Sequence, residues 1–292
     1  MLRTSHRGEP GAPSAADVSM PISPVITLAG VSKRFQHTVA LHNVSATILP
    51  GQFVAIIGRS GAGKTTLLHC LSRTLTATAG SVRFGTCDLA SLQGETLRQH
   101  RARVGIIYQQ FNLVKRLCVC DNVLIGRLPH LRGVASWLAL GRYFPAVQRD
   151  IALRCLEHVG LLKRAWQRTD TLSGGEQQRV AIAKVLAQQP QVILADEPVA
   201  SLDLMNGMLV LETLRRVASE TGLTVIATLH HVEYARRYAD RVLGLRAGEL
   251  VFDVLPPALT DATLQSLFGD VPIPSEPPTP TATSEIAWVA SS

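Results

Sequence analysis

Gly58-Arg59-Ser60-Gly61-Ala62-Gly63-Lys64-Thr65 follows the apolar run 53–57 and precedes Thr66 to Leu71, which read as a helix. A G-x-x-x-x-G-K-[ST] segment in that setting leaves few folds open, because it is a loop built to wrap phosphate at the end of a strand. Glycines let the backbone curl until several N–H groups converge on an anion, beside the positive end of the following helix. Gly58 to Thr66 thus supply the backbone nest, with Thr66 as its last member. Lys64 is placed to reach the outer phosphates, and Thr65 offers a hydroxyl to Mg²⁺. An ordinary glycine-rich turn needs no Lys-Thr pair at this offset.

Many unrelated nucleotide-hydrolysing proteins share such a loop, so the rest of the chain must narrow the reading. Val192-Ile-Leu-Ala-Asp196-Glu197 is an apolar strand ending in two carboxylates. A buried strand releases charged groups only at its edge, which suits Asp196 to Mg²⁺ and Glu197 to orienting or deprotonating water. Leu172-Ser173-Gly174-Gly175-Glu176 opens a helix expected to run to about Gln188. Ser173 followed three residues later by Glu176 is a capping box, and a Ser-Gly-Gly helix start is also an anion site; both readings hold together.

With these residues in place the chain resembles the ATP-binding cassette (ABC) family, whose signature motif reads as residues 172–176 do here. Further matches follow in order along residues 25–255. Gln109, after a strand expected over 104–108, resembles the glutamine that senses Mg²⁺ and the membrane partner. Ser201-Leu202-Asp203 resembles the D-loop. His230, after the strand expected over 224–229, resembles the switch histidine on the γ-phosphate, although His231 stands beside it. Phe35 sits where the family stacks an aromatic on adenine.

The resemblance implies an α/β fold: a P-loop NTPase core with a mixed sheet, an antiparallel β subdomain, and an inserted helical subdomain at about residues 110–175. A C-terminal helix is expected over 256–271. It further implies ATP and Mg²⁺ as cofactors, with Lys64, Glu197 and His230 as catalytic groups and Thr65, Gln109 and Asp196 around the metal. The nucleotide sites are implied to form when two copies meet head to tail, so that Ser173, Gly174 and Gly175 of one copy cover the loop of the other, with Asp203 nearby.

Residues 195–203, 229–240 and 244–248, with the extra stretch 137–144, resemble the phosphonate-import ATPases within that family. Val199 and Tyr234 depart from most cassettes in the same way. Glu176, Lys184 and His231 depart from both groups, and none removes a group the chemistry requires. The implied partners are two membrane-spanning permease subunits and, through them, a periplasmic binding protein, at the cytoplasmic face of a bacterial inner membrane. Two alternatives stay open: the ATPase of a lipoprotein-release or macrolide-export transporter, and a soluble nucleic-acid-associated cassette. Repair-type cassettes carry a long coiled coil before the signature and ribosome-type ones carry two cassettes, and this chain has neither.

Composition agrees. No apolar stretch approaches the roughly 20 residues that span a bilayer, so transport requires separate membrane subunits. Cys70, Cys87, Cys118, Cys120 and Cys155 are odd in number and lack a CxxC pair, which supports neither a disulfide scaffold nor structural zinc. Cys118-Val-Cys120 offers two thiols to a soft metal, but reads in preference as two half-buried thiols at a helix start. The net charge of +7 comes from 29 basic and 22 acidic residues, clustered at 98–103, 115–116 and 236–237 without interleaved aromatics. That pattern favours an anionic membrane surface over nucleic acid. Residues 1–24, rich in Pro, Ser, Gly and Ala, read as a disordered leader in which Met20 is an alternative start, and 272–292 as a mobile tail.

Overall fold

The computed structural model describes residues 23–131 and 143–269. Almost all of the leader, the tail, and most of the 137–144 stretch lie outside them.

Two sheets share the chain. A mixed six-stranded sheet is built from β3 (Phe53–Ile57), β6 (Val104–Ile107), β7 (Val192–Ala195), β8 (Thr224–Leu229), β9 (Arg241–Arg246) and β10 (Glu249–Val254), in the spatial order β10-β9-β3-β8-β7-β6. All neighbours are parallel except β10, which pairs antiparallel with β9. An antiparallel sheet comes from β1 (Ile26–Phe35), β2 (Thr38–Ile48), β4 (Ala79–Phe84) and β5 (Cys87–Asp88), in the order β2-β1-β4-β5.

The burial patterns follow from these placements. β3, β7 and β8 are buried at every position, as strands covered on both faces must be, and each is an apolar run rich in Val, Ile and Ala, interrupted only by Thr224 and Thr228 of β8. Alternation along β3 divides the interior in two. Phe53, Ala55 and Ile57 face one core with Ile193, Val225, Leu211 and Val180. Val54 and Ile56 face the other, with Leu67 and Leu71 of α1 (Lys64–Leu71) and with Val31, Leu41 and Val82 of the antiparallel sheet.

α2 (Gly94–Arg103) leads into β6. Between β6 and β7, α3 (Val119–Ile125), α4 (Ala146–His158) and α5 (Gly174–Ala187) pack on one another. Arg127, which is 4% exposed, ties this layer together by donating to Gln148 Oε1, Ala187 O and Gln189 Oε1. α6 (Leu204–Thr221) starts at an Asp203 cap and stops at Gly222, whose φ of +69° a side chain would oppose. α7 (Val232–Tyr238) and α8 (Asp261–Phe268) complete the described chain. Among the described residues no helix is long and apolar enough to cross a membrane.

Four expectations change in detail. The C-terminal helix expected from residue 256 begins at Asp261, behind the Thr260 cap, because Pro256 and Pro257 form a separate short turn before it. The helix after the glycine loop begins at Lys64 and not at Thr66, because Gly63 at φ +100° already makes the turn into it. The strand expected over 104–108 ends at Ile107, leaving Tyr108 exposed. Cys118 is half-buried, and its Sγ caps α3 by accepting from Asp121 N at 3.3 Å. Cys120 instead lies fully buried, and burial pushes its thiol up to about 11.

Candidate functional site

Register brings the chemistry to one edge. Ile57 pairs with Leu229, Ala227 with Ala195, and Ala195 with Ile107, so β3, β8, β7 and β6 end side by side. The loop at 58–63, His230, Asp196-Glu197 and Gln109 each follow one of those ends. Crevices outside the carboxyl ends of parallel strands are where open α/β sheets bind ligands.

The loop is closely fitted. A Cβ on Gly58 would stand 2.1 Å from Leu245 O, and one on Gly63 2.4 Å from Ala40 O. Gly248 N donates to Ala62 O at 3.0 Å, which pins the loop to the β9–β10 turn. Starting α1 at Lys64 puts Lys64, Thr65 and Thr66 in its first turn, where backbone N–H groups lack helical partners and face the loop's mouth. Thr66, read from the sequence as the last member of the nest, is therefore a half-buried helical residue whose amide, at the helix end, lacks a helical partner and can be offered to an anion. Lys64 is 5% exposed; Nζ donates to Gly58 O at 2.9 Å and Arg59 O at 3.1 Å. Burial lowers its pKa, and the carboxylates of Glu197 and Asp196 oppose that shift.

A hydrogen-bonded chain runs from the loop across the strand ends. Thr65 Oγ1 donates to Asp196 Oδ1 at 3.1 Å, and Thr228 Oγ1 donates to the same oxygen at 2.9 Å. Thr228 Oγ1 also accepts from Glu197 N at 2.8 Å. Glu197 adopts φ +48°, a conformation that costs a non-glycine residue about 1–3 kcal/mol, and its Oε1 meets His230 Nε2 at 2.5 Å. Thr228 is fully buried and escaped the sequence reading. Its only signal is a hydroxyl in the otherwise apolar interior of β8.

Other expected residues gather elsewhere. Ser173 caps α5 reciprocally: its Oγ accepts from Glu176 N at 3.3 Å and its N donates to Glu176 Oε2 at 2.9 Å. Ser173, first through its backbone N–H and then through its hydroxyl, and after it the nearby Arg164, hold the Glu176 carboxyl below its ordinary range against its partial burial. A cleft of about 670 Å³ is lined by Gln109, Lys115, Gly174, Gln177 and Ser201. Gly175 sits so close to Asn206 that a Cβ would lie 2.6 Å from its Oδ1. Asp203 accepts from Asn206 N at 3.0 Å as the cap of α6. Phe35, 42% exposed, ends β1 with Lys33 Nζ 5.0 Å from its ring centre. Among the described residues no hydrogen bond joins Ser173, Gly174 or Gly175 to the 58–65 loop. Gln178, one turn into α5 and fully buried, donates to Pro198 O at 2.7 Å and so braces the turn that carries Glu197.

Chemically, one edge combines a close-fitting amide nest, a buried ammonium, paired hydroxyl and carboxylate oxygens suited to a hard cation, and a carboxylate held by a histidine. Residues 41–200, more than half the chain, match the ABC transporter family. The phosphonates import ATP-binding protein PhnC 2 of Rhodopseudomonas palustris (strain BisA53) is 45% identical over 244 residues, 84% of this chain and 89% of its own. The phosphite import ATP-binding protein PxtA of Stutzerimonas stutzeri is 46% identical over 245 residues, 82% of this chain and 87% of its own. Among solved structures, a dimeric post-hydrolysis state of the ATP-binding cassette MJ0796 bound to ADP and Pi superposes with a TM-score of 0.68 at 32% identity, covering 79% of this chain and 98% of that one. With the loop, the paired carboxylates and the capped signature helix arranged as described, the chain belongs to the ABC transporter family, as one of its ATP-hydrolysing cassettes.

Proposed function

We propose that the protein is the ATPase subunit of an importer for phosphonates or a closely related phosphorus oxyanion, and that a head-to-tail pair of copies drives it. The observation that carries the hydrolytic part is the chain Thr65–Asp196–Thr228–Glu197–His230 lying beside the buried ammonium of Lys64. Relatives named for phosphonate and phosphite import, each more than four-fifths covered, support the substrate class.

In this reading the backbone from Gly58 to Thr66 and the Lys64 ammonium hold the phosphates of ATP, and Phe35 stacks on the base. The hydroxyl of Thr65 and the carboxylate of Asp196 are hard oxygen donors that suit Mg²⁺, with Gln109 approaching from the neighbouring strand end. When bound, Mg²⁺ neutralises charge on the phosphate oxygens. Glu197 polarises the attacking water, and His230 fixes the Glu197 carboxylate and faces the γ-phosphate. Ser173, Gly174 and Gly175 of the second copy, with Asp203 at the joint, close the site; the dimeric neighbour supports that arrangement.

The membrane partners are two permease subunits, with a periplasmic binding protein choosing the ligand, at the inner face of a bacterial inner membrane. A groove of about 480 Å³ beside edge strand β6 supports docking of a permease segment: Tyr108, Phe111, Ile125 and Val185 give it apolar walls, and Arg101 and Lys184 give it positive charge. Lys184 donates to Asn112 O at 2.9 Å, and burial lowers its pKa.

The test is growth on an alkylphosphonate as sole phosphorus source in a strain lacking this gene and any redundant importer. Rescue by wild type but not by Glu197→Gln is expected; normal growth of the deletion strain would remove phosphonate as the substrate.

A further inference from the structure

Between α4 and α5 the chain displays an aromatic side chain that nothing in the hydrolytic site uses. Trp166 is 67% exposed, and Leu162 beside it 42%. The backbone beneath them is rigid. Cys120 N donates to Ala165 O at 2.8 Å, Val119 N to Gln167 O at 2.9 Å, and Thr169 N to Leu117 O at 3.0 Å, while Leu161 and Ala165 are buried as anchors. The indole is thus held outward by a fixed scaffold.

Its surroundings are cationic. Lys163, Arg164 and Arg168 come from the same segment, and Lys115 and Arg116 from the segment hydrogen-bonded alongside, where Asp170 N donates to Lys115 O at 3.2 Å. Arg168 pairs with Asp170 at 2.5 Å and Arg164 lies 3.6 Å from Glu176. Arg116 and Lys163 have no carboxylate partner among the described residues and are exposed. A projecting indole on a segment that carries long cationic side chains, paired with another segment that does the same, has the chemistry of the bilayer interface: Trp sits at headgroup depth, and Lys and Arg meet anionic phosphates while their stems cover apolar surface. Protein interfaces also favour Trp and Arg, but their cores are depleted in Lys, which this surface carries at Lys163 with Lys115 alongside. The groove fitted to a protein segment lies elsewhere, beside β6.

We propose that the surface formed by Leu162, Lys163, Arg164, Trp166, Arg168 and Arg116 docks directly on an anionic phospholipid bilayer. The contact adds to attachment through membrane subunits and sets the orientation of the helical layer beneath the membrane. It rests on the reading that the chain works at a membrane surface, but its test needs neither a permease nor a phosphonate.

The test is co-sedimentation of the purified full chain with phosphatidylglycerol-containing vesicles and with pure phosphatidylcholine vesicles, at low and high salt. Trp166→Ala and Arg116→Glu/Lys163→Glu variants are measured in parallel, with ATPase activity and melting temperature verifying the fold. Wild type is expected to partition about tenfold or more in favour of the anionic vesicles, and to lose that preference as salt screens the charges. Each variant is expected to lose most of the binding while retaining activity and melting temperature. Absence of wild-type binding, or equal binding by both variants, overturns the proposal. So does a result in which Trp166→Ala weakens assembly with detergent-purified permease subunits while vesicle binding is unchanged, which would assign the surface to a protein partner.

Discussion

Glu197 Oε1 and His230 Nε2 stand 2.5 Å apart, although the two residues leave the sheet from adjacent parallel strands and Glu197 is held at φ +48° to make the contact. A strained backbone and a short carboxylate–imidazole contact at the same point fix this carboxylate in place, near enough for its charge to act on Lys64 of the loop. Glu197→Gln keeps the shape and an acceptor for His230 but removes the charge. ATP turnover is expected to fall by about 10²–10⁴-fold, the usual range for a positioned acid or base, while ATP binding measured by calorimetry stays at wild-type strength. Near-normal turnover would remove Glu197 from that role.

Thr228 holds both carboxylate residues at once, donating to Asp196 Oδ1 and accepting from Glu197 N. Valine has nearly the same shape and neither capacity. In Thr228→Val the Glu197 amide loses its acceptor in a partly buried setting, which costs about 1 kcal/mol of stability. Turnover is expected to drop with the ATP dissociation constant little changed, a split that chemical denaturation and steady-state kinetics resolve together.

Lys64 is buried with only carbonyl oxygens as direct partners, so its ammonium is poorly solvated until an anion arrives. Lys64→Ala is expected to weaken ATP binding by about 10–100-fold, the equivalent of one charge-assisted hydrogen bond to phosphate. Melting without nucleotide should shift little, because the lost charge had no carboxylate in contact. Unchanged ATP affinity would contradict the phosphate-loop reading.

Asp240 links α6 to the central strand by accepting from Arg215 Nη1 and Nη2, each at 2.7 Å, and from Phe53 N at 2.8 Å. Burial pushes its pKa up, but the Arg215 and Phe53 hydrogen bonds outweigh burial and hold the carboxyl below its ordinary range. A carboxylate depressed on folding stabilises the protein above its unfolded pKa, and that stabilisation is lost as pH falls through the folded value. Asp240→Asn is therefore expected to cost about 1 kcal/mol at neutral pH, allowing for a pair more than one-third exposed, and the gap from wild type should close below about pH 4. Urea melts at neutral and acid pH measure both.

Local chemistry made the strand ends and the glycine loop legible. The run Val192-Ile-Leu-Ala before Asp196-Glu197 could only be a strand buried on both faces, and only glycines tolerate the approach of Leu245 O and Ala40 O to the loop. What stayed hidden depends on tertiary partners. Thr228 reads as ordinary β-branched strand filling until its neighbours are known. Arg127 reads as a surface cation, yet it is buried because two glutamine side chains and a helix-end carbonyl satisfy its guanidinium without any carboxylate. Cys120 passed for a half-buried thiol because α3 alone does not reveal that α4 and α5 cover it.

The bond from Gln178 to Pro198 joins two places that the proposed pair of copies would use for different nucleotides. Ser173, at the start of α5, would touch the ATP held by the opposite copy, whereas Pro198 follows the glutamate that acts on this copy's own ATP. In that pair a single helix would work as a lever: pressure on its amino end by one nucleotide would pass, within about one turn, to the turn that carries the glutamate of the other site. The two sites would report each other's occupancy, and firing would be a joint event of the pair.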